Sequence, residues 1–363
     1  SNYEMALDLS TLEFDWWDRF TFDAKNAWSD LHGLPGPRSL DFMKGQFMAW
    51  QFNGDAMKEA GLDPRNDVRS YDDFVKWMDE GKAFVEASGG KYDAFWKQGW
   101  HNWIFGACYS DTFPNFFADG SPDRRVACWT GEAKFNAEDS PYRHFFQFYL
   151  DAKDKGWIPA DMPNLLWEND MEATYISGKS IMMVHGPWVW DKASAAGSTF
   201  EQVGLPATPP ADMETWKQFA LPVNIDNQWF IRAGADKSPI FPNIQHAWNW
   251  FFSPDIIPLR CDAEGRMPLY TLDEPFETQG LQWQSIGKHI GVDGDFGNNL
   301  EWDEGLTGNV MASPRRKKGA KGVFDWESNG LNVWFANLYS GKWTVQDCLD
   351  EAQKNYDESY EAA

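Results

Sequence analysis

The sequence predicts an α/β protein built from two lobes, with mainly parallel strand pairing. Predicted helices and strands alternate along most of the chain, which is typical of strands joined by helical crossovers. The chain has 363 residues, more than the roughly 250 at which a single hydrophobic core usually stops growing. We therefore expect two compact lobes, each with its own core.

The composition indicates a neutral ligand. The formal net charge is −23, which argues against nucleic acid and disfavours anionic ligands, because both need Lys and Arg surfaces. The 22 Trp residues suit a site where flat apolar rings meet an amphipathic ligand such as a sugar. Most individual Trp side chains still belong to a core, so only position separates the two roles. No run of about 18 consecutive apolar residues occurs, so the sequence predicts no membrane-spanning helix.

Two helices are well marked in the first half of the chain. One runs from Ser70, with Asp73 as its capping partner, to the Ser88-Gly89-Gly90 turn. The other runs from about Pro141 to Gly156, because glycine can take the left-handed conformation that closes a helix. Each helix has apolar residues at helical spacing, namely Phe74, Trp77 and Met78 in the first and Phe145, Phe148 and Tyr149 in the second.

The most informative region lies between residues 171 and 190. A short helix from Met171 to Ile176 is stopped by Gly178, and Ser180–Val184 is an apolar run with the length of a buried strand. The run ends at a Gly-Pro turn, which we expect to expose two Trp side chains at the carboxyl end of the strand, Trp188 and Trp190. Open α/β sheets bind ligands at that edge.

Two further segments complete the predicted elements. A strand at Trp229–Ile231 leads into a helix whose aromatic residues we place in a core, with Ile244, Ala247, Trp248 and Phe251 at helical spacing. The last helix opens at Thr344 with Asp347 as capping partner. Its apolar stripe, which would dock it onto a domain, consists of Val345, Cys348, Leu349, Ala352 and Tyr356.

The motifs of phosphate, zinc and metalloprotease chemistry do not occur in the sequence. The six His residues are scattered, with no pair at the spacing that places two imidazoles on one helix face, so we expect no metal and no cofactor. A glycoside hydrolase remains the alternative function, since its two carboxylates need only meet in space. With 55 Asp and Glu residues, candidate pairs occur everywhere and distinguish nothing.

Four segments in order resemble the extracellular solute-binding proteins related to maltose-binding protein. The signature segment is Tyr175–Trp190, in which an aromatic-x-x-Gly-Lys motif precedes a strand that ends in Gly-Pro-Trp. The others are His32-Gly33-Leu34-Pro35, Phe52-Asn53-Gly54-Asp55 followed by Ala60-Gly61-Leu62, and Ser340-Gly341-Lys342. Together they cover nearly the whole chain.

The resemblance implies the two-lobed periplasmic-binding-protein fold, with hinge strands and a ligand cleft between the lobes. Residues 1–38 and 228–315 would form the N-lobe, and residues 39–227 and 316–363 the C-lobe. Family members carry the first strands of one lobe before the segment that matches Leu7-Asp8-Leu9. We therefore expect the N-lobe to lack its first strands and the natural chain to have further residues upstream.

The resemblance also implies the residues of a sugar site. Trp188 matches the family's stacking Trp, Trp100 aligns with another cleft aromatic through Trp103-Ile104-Phe105, and Glu168 beside Trp167 falls at a contact position. Asp325 and Trp326 could replace an aromatic that some family members carry near Ser328, while Trp229 and Arg38 belong to the two crossings between lobes. No catalytic residue is assigned.

The implied activity is capture of a sugar, for which we expect an oligosaccharide, and its delivery to the membrane permease of an ABC importer. The protein would be an extracellular monomer, at the cell surface as a lipoprotein or in the periplasm. Cys108 and Cys128 lie on either side of a turn at Asp119-Gly120, and in an exported protein we predict a disulfide between them. Cys348 is expected to be an inert buried thiol.

Overall fold

The structure of the protein is a computed structural model that describes residues 5–20, 36–40, 43–44, 49–63, 67–68, 70–99, 127–185, 188–198, 202–206, 229–263, 267–268, 270–273, 317, 322–324 and 330–360. For residues 43–44, 49, 188, 191, 202–206 and 267 it describes the backbone only. The strands are β1 Met43–Lys44, β2 Ala49–Asn53, β3 Ala94–Trp96, β4 Ser180–His185, β5 Gln202–Pro206 and β6 Met267–Pro268. The α-helices are α1 Gly54–Ala60, α2 Tyr71–Ala87, α3 Tyr142–Asp154, α4 Ala173–Ile176, α5 Trp188–Ala195, α6 Phe241–Phe251, α7 Ile257–Ala263, α8 Gly330–Tyr339 and α9 Val345–Ser359. A π-helix covers Trp167–Glu172, and short 3-10 helices cover Leu9–Thr11, Trp17–Arg19, Met162–Asn164 and Ala235–Lys237.

The larger sheet is mixed, with the strand order β3-β4-β2-β5. β3 and β4 are parallel, whereas β2 runs antiparallel to both of its neighbours, and β1 pairs antiparallel with β6. The prediction of mainly parallel pairing is therefore wrong for the described strands. Ala49 at the start of β2 pairs with Pro206 at the end of β5, and beyond them Leu40 pairs with Trp229. Because β2 enters the sheet where β5 leaves it, the two strands must run in opposite directions.

The main core surrounds this sheet. Every residue of β4 is buried, as its uninterrupted apolar run predicted. Side chains from β2, β3 and β4 pack with those of α2, α3, α8 and α9 in one cluster rich in aromatic residues. Met183 of β4 instead packs in a second, smaller group with Met171, Tyr175, Val189 and Trp190. β4 is thus covered on both of its faces.

The helix boundaries follow the local signals in the sequence. The Ser70 hydroxyl accepts a hydrogen bond from the Asp73 backbone N–H at 3.2 Å and starts α2. Thr344 and Asp347 form a reciprocal capping box at the start of α9, which confirms that prediction. Gly156, after α3, has a φ of 71°, in the left-handed region expected of a helix stop. Cys348 is fully buried, and burial raises the pKa of its thiol to about 12.

A separate core lies outside the larger sheet. Its buried members come from two segments that are far apart in the sequence, residues 7–40 and 231–270. They are Leu7, Leu9, Phe20, Leu40, Ile231, Trp248, Phe252, Ile257, Cys261 and Tyr270. The predicted burial of Trp248 is confirmed at 9 % exposure, whereas Ala247 is exposed. None of the described helices is long and apolar enough to cross a membrane.

The predicted strand at Trp229–Ile231 is wrong, because the structure has two isolated bridges there. Trp229 pairs with Leu40, and Arg232 pairs with Ala6. A ladder needs consecutive pairs with one partner segment. Here the chain passes from one partner segment to another within three residues, so no ladder forms.

Candidate functional site

Three strands of the larger sheet end at one edge, which we call the strand-end edge and define by Trp96, His185 and Pro206, the last residues of β3, β4 and β5. β3 is parallel to β4, and β5 also runs in the direction of β4 because both are antiparallel to β2. Carboxyl ends that open at one edge are where α/β sheets bind ligands. The edge is therefore the place at which to look for a site.

Gln98 closes the sheet beyond the end of β3. Its side chain is fully buried, and its Oε1 accepts from the Val184 backbone N–H at 3.2 Å and from the Trp96 indole N–H at 2.9 Å. Its Nε2 donates to the Gly99 carbonyl at 3.3 Å. The amide thus takes the place of a further strand residue and fixes the chain at Gly99.

The π-helix crosses the strand-end edge. The Met171 N–H donates to the Leu166 carbonyl at 3.3 Å, five residues back, while the Asp170 carboxylate accepts from the Leu166 N–H at 2.7 Å. Gly99 lies against this turn, and a Cβ built there would stand 3.1 Å from the Trp167 Cα. Trp167 is therefore placed directly beside the residue that precedes Trp100. Single π-turns of this kind are frequent at functional sites.

Four side chains meet at the strand-end edge, and we call them the Glu172 cluster: Trp167, Glu172, His185 and Lys192. The carboxylate of Glu172, only 5 % exposed, binds His185 Nε2 at 2.6 Å and Lys192 Nζ at 2.8 and 3.1 Å. The Trp167 ring stands edge-on to the imidazole with centroids 5.4 Å apart, and Lys192 Nζ lies 5.1 Å from the indole centroid. One buried anion thus organises a cation, an imidazole and an indole.

The protonation states of the cluster follow from its geometry. Burial alone would raise the pKa of Glu172, but hydrogen bonds from His185 and Lys192 hold the pKa of this carboxyl below its ordinary value. Burial lowers the pKa of His185. The imidazole is therefore neutral near pH 7, and its Nε2–H donates to the Glu172 carboxylate. Within the described residues, no three His, Cys, Asp or Glu side chains converge where a metal ion could bind.

Helix α5 joins the site immediately after β4. It begins at Trp188, three residues beyond His185, so its first turn lies at the strand-end edge, and Lys192 follows one turn later. The side chain of Trp188 lies outside the described residues, and its stacking role stays a prediction. Trp190, predicted to be exposed beside Trp188, is buried at 3 %. That prediction is wrong because the chain forms a helix here, and Trp190 packs with Met183 and Tyr175.

The remaining predicted site residues fall in several places. Glu168 is exposed on the π-helix beside Trp167, so the structure brings these two to the strand-end edge. Trp229 is 40 % exposed and belongs to the other core region, with its ring 4.6 Å from that of Phe251 and 5.2 Å from the Arg260 guanidinium. The described residues do not include Trp100, Asp325, Trp326 or Cys108.

Arg38 has a clear structural partner. Its Nη1 donates to the Ala6 carbonyl at 3.0 Å, and its Nη2 lies 3.9 Å from the Asp8 carboxylate. The Arg38 side chain is 19 % exposed. Its two contacts connect the segment at the first crossing to residues 6–8, near the start of the described chain. Its predicted contact with a ligand is not tested by these contacts.

Four polar residues of the site were missed from sequence: Gln98, Glu172, His185 and Lys192. Two of them carried a usable signal. His185 follows an apolar run without a break, and Gln98 follows the apolar residues of β3 by two positions. A polar side chain at the end of a buried strand needs a buried partner, which could have directed attention to this edge.

The fold is that of known sugar-binding proteins. A family 1 extracellular solute-binding protein from Bifidobacterium longum subsp. infantis has a TM-score of 0.63 and 17% identity, covering 98% of this chain and 80% of that one. RafE in complex with raffinose has a TM-score of 0.63 and 13% identity, covering 98% and 82%. A sugar transporter from Bacillus licheniformis in complex with stachyose has a TM-score of 0.61 and 13% identity, covering 98% and 81%. No protein-family model and no curated protein matches the sequence. At these identities the likeness shows the fold, and it confirms the two-lobed α/β architecture.

Proposed function

We propose that the chain is an extracellular solute-binding protein that captures an oligosaccharide between two lobes and delivers it to the permease of an ABC importer. One observation carries the proposal: aromatic and polar residues gather at the strand-end edge of a fold shared with sugar-binding proteins. Trp167 and Glu168 lie there, Gly99 leads directly to Trp100, and α5 begins there with Trp188. Two of the structurally similar proteins were solved in complex with stachyose and raffinose, which supports an oligosaccharide as the ligand.

The proposed lobes are residues 1–38 with 228–315, and residues 39–227 with 316–363. Two separate hydrophobic cores support this division. The paired residues Leu40 and Trp229 support two neighbouring crossings, with backbone N–H···O distances of 2.9 and 3.0 Å between them. Trp229 would then reach the cleft from the side opposite to Trp167, and Arg38 would stiffen the first crossing.

Recognition would combine stacking and hydrogen bonding. The indoles of Trp100, Trp167 and Trp188 would cover the apolar faces of pyranose rings, and Glu168 would accept hydrogen bonds from hydroxyls. Each hydroxyl buried without a partner would cost about 1–3 kcal/mol, which allows the site to discriminate between sugars. Closure of the lobes would present the liganded shape to the permease, provided that sugar binds the closed form more tightly. No bond is made or broken in this function, and the protein would act as a monomer.

Calorimetric titration and thermal melting with a panel of saccharides, including raffinose and stachyose, test the proposal. A ligand at 100 times its dissociation constant should add about 2.7 kcal/mol to the free energy of unfolding. Trp188→Ala should weaken binding of that sugar by about 1–3 kcal/mol with little change in melting temperature. Trp248→Ala, the core control, should lower stability by about 3–5 kcal/mol.

Two outcomes would contradict the proposal. Release of reducing sugar from any member of the panel would support the glycoside hydrolase instead. If Trp188→Ala melts far below the wild type and keeps its sugar affinity, the assignment of Trp188 to the cleft is wrong.

A further inference from the structure

We propose that Lys192 and Glu172 are positioning residues for the indole of Trp167, and that this ion pair raises the affinity of the site for sugar. The inference rests on the proposed function. Neither residue was identified from the sequence, and Lys192 reaches Trp167 from a different element, α5. The ion pair therefore joins the π-helix that carries Trp167 to the helix that begins at Trp188.

The contacts form a short chain from a fixed strand to the indole. The His185 carbonyl accepts from Gln51 Nε2 at 2.7 Å, so the end of β4 is anchored to β2. The His185 imidazole holds one oxygen of Glu172, and both Glu172 oxygens hold the Lys192 ammonium. The ammonium then lies 5.1 Å from the indole centroid of Trp167, within the range of a cation–π contact.

Glu172, rather than packing, fixes the position of the ammonium. The Lys192 side chain is 44 % exposed, whereas that of Glu172 is 5 % exposed. A lysine side chain exposed to this extent keeps several rotamers unless a partner holds it. Two contacts to a buried carboxylate supply that partner. The indole is thus bordered by an imidazole and an ammonium that are both bound to the same carboxylate.

Stability alone gives little reason for a buried charge at this position. The desolvation of a buried ion pair commonly offsets its Coulomb energy, and apolar residues of similar volume are often as stable. A charged pair does fix geometry, because it accepts few arrangements. A stacking ring bound to a sugar benefits from such fixing, since a ring already in place loses no rotamer freedom on binding.

A double-mutant cycle tests the inference with the sugar identified by the panel. Lys192→Met should weaken sugar binding by about three- to tenfold in the otherwise wild-type protein. The same change in a Trp167→Ala background should weaken it no further, because Lys192 acts through the indole. Lys192→Arg keeps the charge and can donate two hydrogen bonds to the Glu172 carboxylate, so it should lose less affinity than Lys192→Met. Lys76→Met, which removes an exposed lysine 3.7 Å from Glu80 on α2, is the matched control and should bind as the wild type does.

A second measurement needs no sugar. In protein labelled with fluorotryptophan, the fluorine resonance of Trp167, assigned with Trp167→Phe, should be narrow in the wild type. This resonance should shift and broaden in Lys192→Met. If Lys192→Met folds poorly because Glu172 is left as an uncompensated buried charge, the double variant Glu172→Gln/Lys192→Met removes that charge and should show the same shift and broadening. An equal loss of affinity in both backgrounds, or an unchanged Trp167 resonance, would overturn the inference. Failure of the wild type to bind any sugar would instead count against the proposed function, and the resonance would still test the positioning.

Discussion

Replacement of Gln98 by Met should strongly destabilise the strand-end edge. The substitution keeps the length and approximate volume of the side chain and removes only its amide. Gln98 Oε1 accepts from two donors, the Val184 backbone N–H and the Trp96 indole N–H. Both donors lie in the main core, where water cannot replace the lost acceptor.

The expected cost follows from counting those two donors. A buried donor left without an acceptor costs about 1–3 kcal/mol, so two donors give about 2–6 kcal/mol. Burial of the methionine in place of a polar amide returns about 1 kcal/mol. The free energy of unfolding should therefore fall by about 1–5 kcal/mol.

Urea unfolding followed by circular dichroism measures the change through the midpoint and slope of the transition. Gln147→Met is the matched control, because Gln147 is exposed on α3 and contacts Asp151 one turn away at 2.7 Å. It should change stability by less than about 0.5 kcal/mol. If Gln98→Met unfolds at the same urea concentration as Gln147→Met, the role assigned to the buried amide is wrong.

Two further predictions concern the sheet and the cluster. Gly81→Ala should lower the free energy of unfolding by about 1–3 kcal/mol although alanine favours a helix, because the added Cβ would stand 2.2 Å from the buried Phe95 ring. The double variant Gly81→Ala/Phe95→Leu should recover most of this loss. A Gly81→Ala protein more stable than the wild type would contradict the packing argument. Burial lowers the pKa of His185 in the folded protein. As the pH falls below about 6.5, the His185 imidazole is therefore protonated in the unfolded chain before it is protonated in the folded protein, and the free energy of unfolding should decrease by up to about 1.4 kcal/mol per pH unit. Thermal melts of His185→Gln should show a shallower pH dependence between about 6.5 and 5 than the wild type, and equal slopes would argue against a buried neutral imidazole.

The sequence by itself determined the local elements. Ser70 and Thr344 start helices, Gly156 follows one, and the run Ser180–Val184 is a buried strand, as predicted. Caps, glycine stops and apolar periodicity act within a few residues, so they can be read without tertiary contacts. The predicted two-lobed α/β fold also rests on local segments, and the likeness to solved structures confirms that fold.

Only the tertiary structure decided the direction of β2 and the polar contacts at the strand-end edge. The direction of β2 depends on pairing between Ala49 and two distant residues, His185 and Pro206. Gln98 meets Val184 across 86 positions, and Lys192 meets Glu172 from another helix across 20 positions. No short-range pattern encodes such partners, because a buried polar group is satisfied by whichever donor or acceptor the fold brings near it. The sequence thus determined which segments form helices and strands, and their packing decided which side chains meet to form a site.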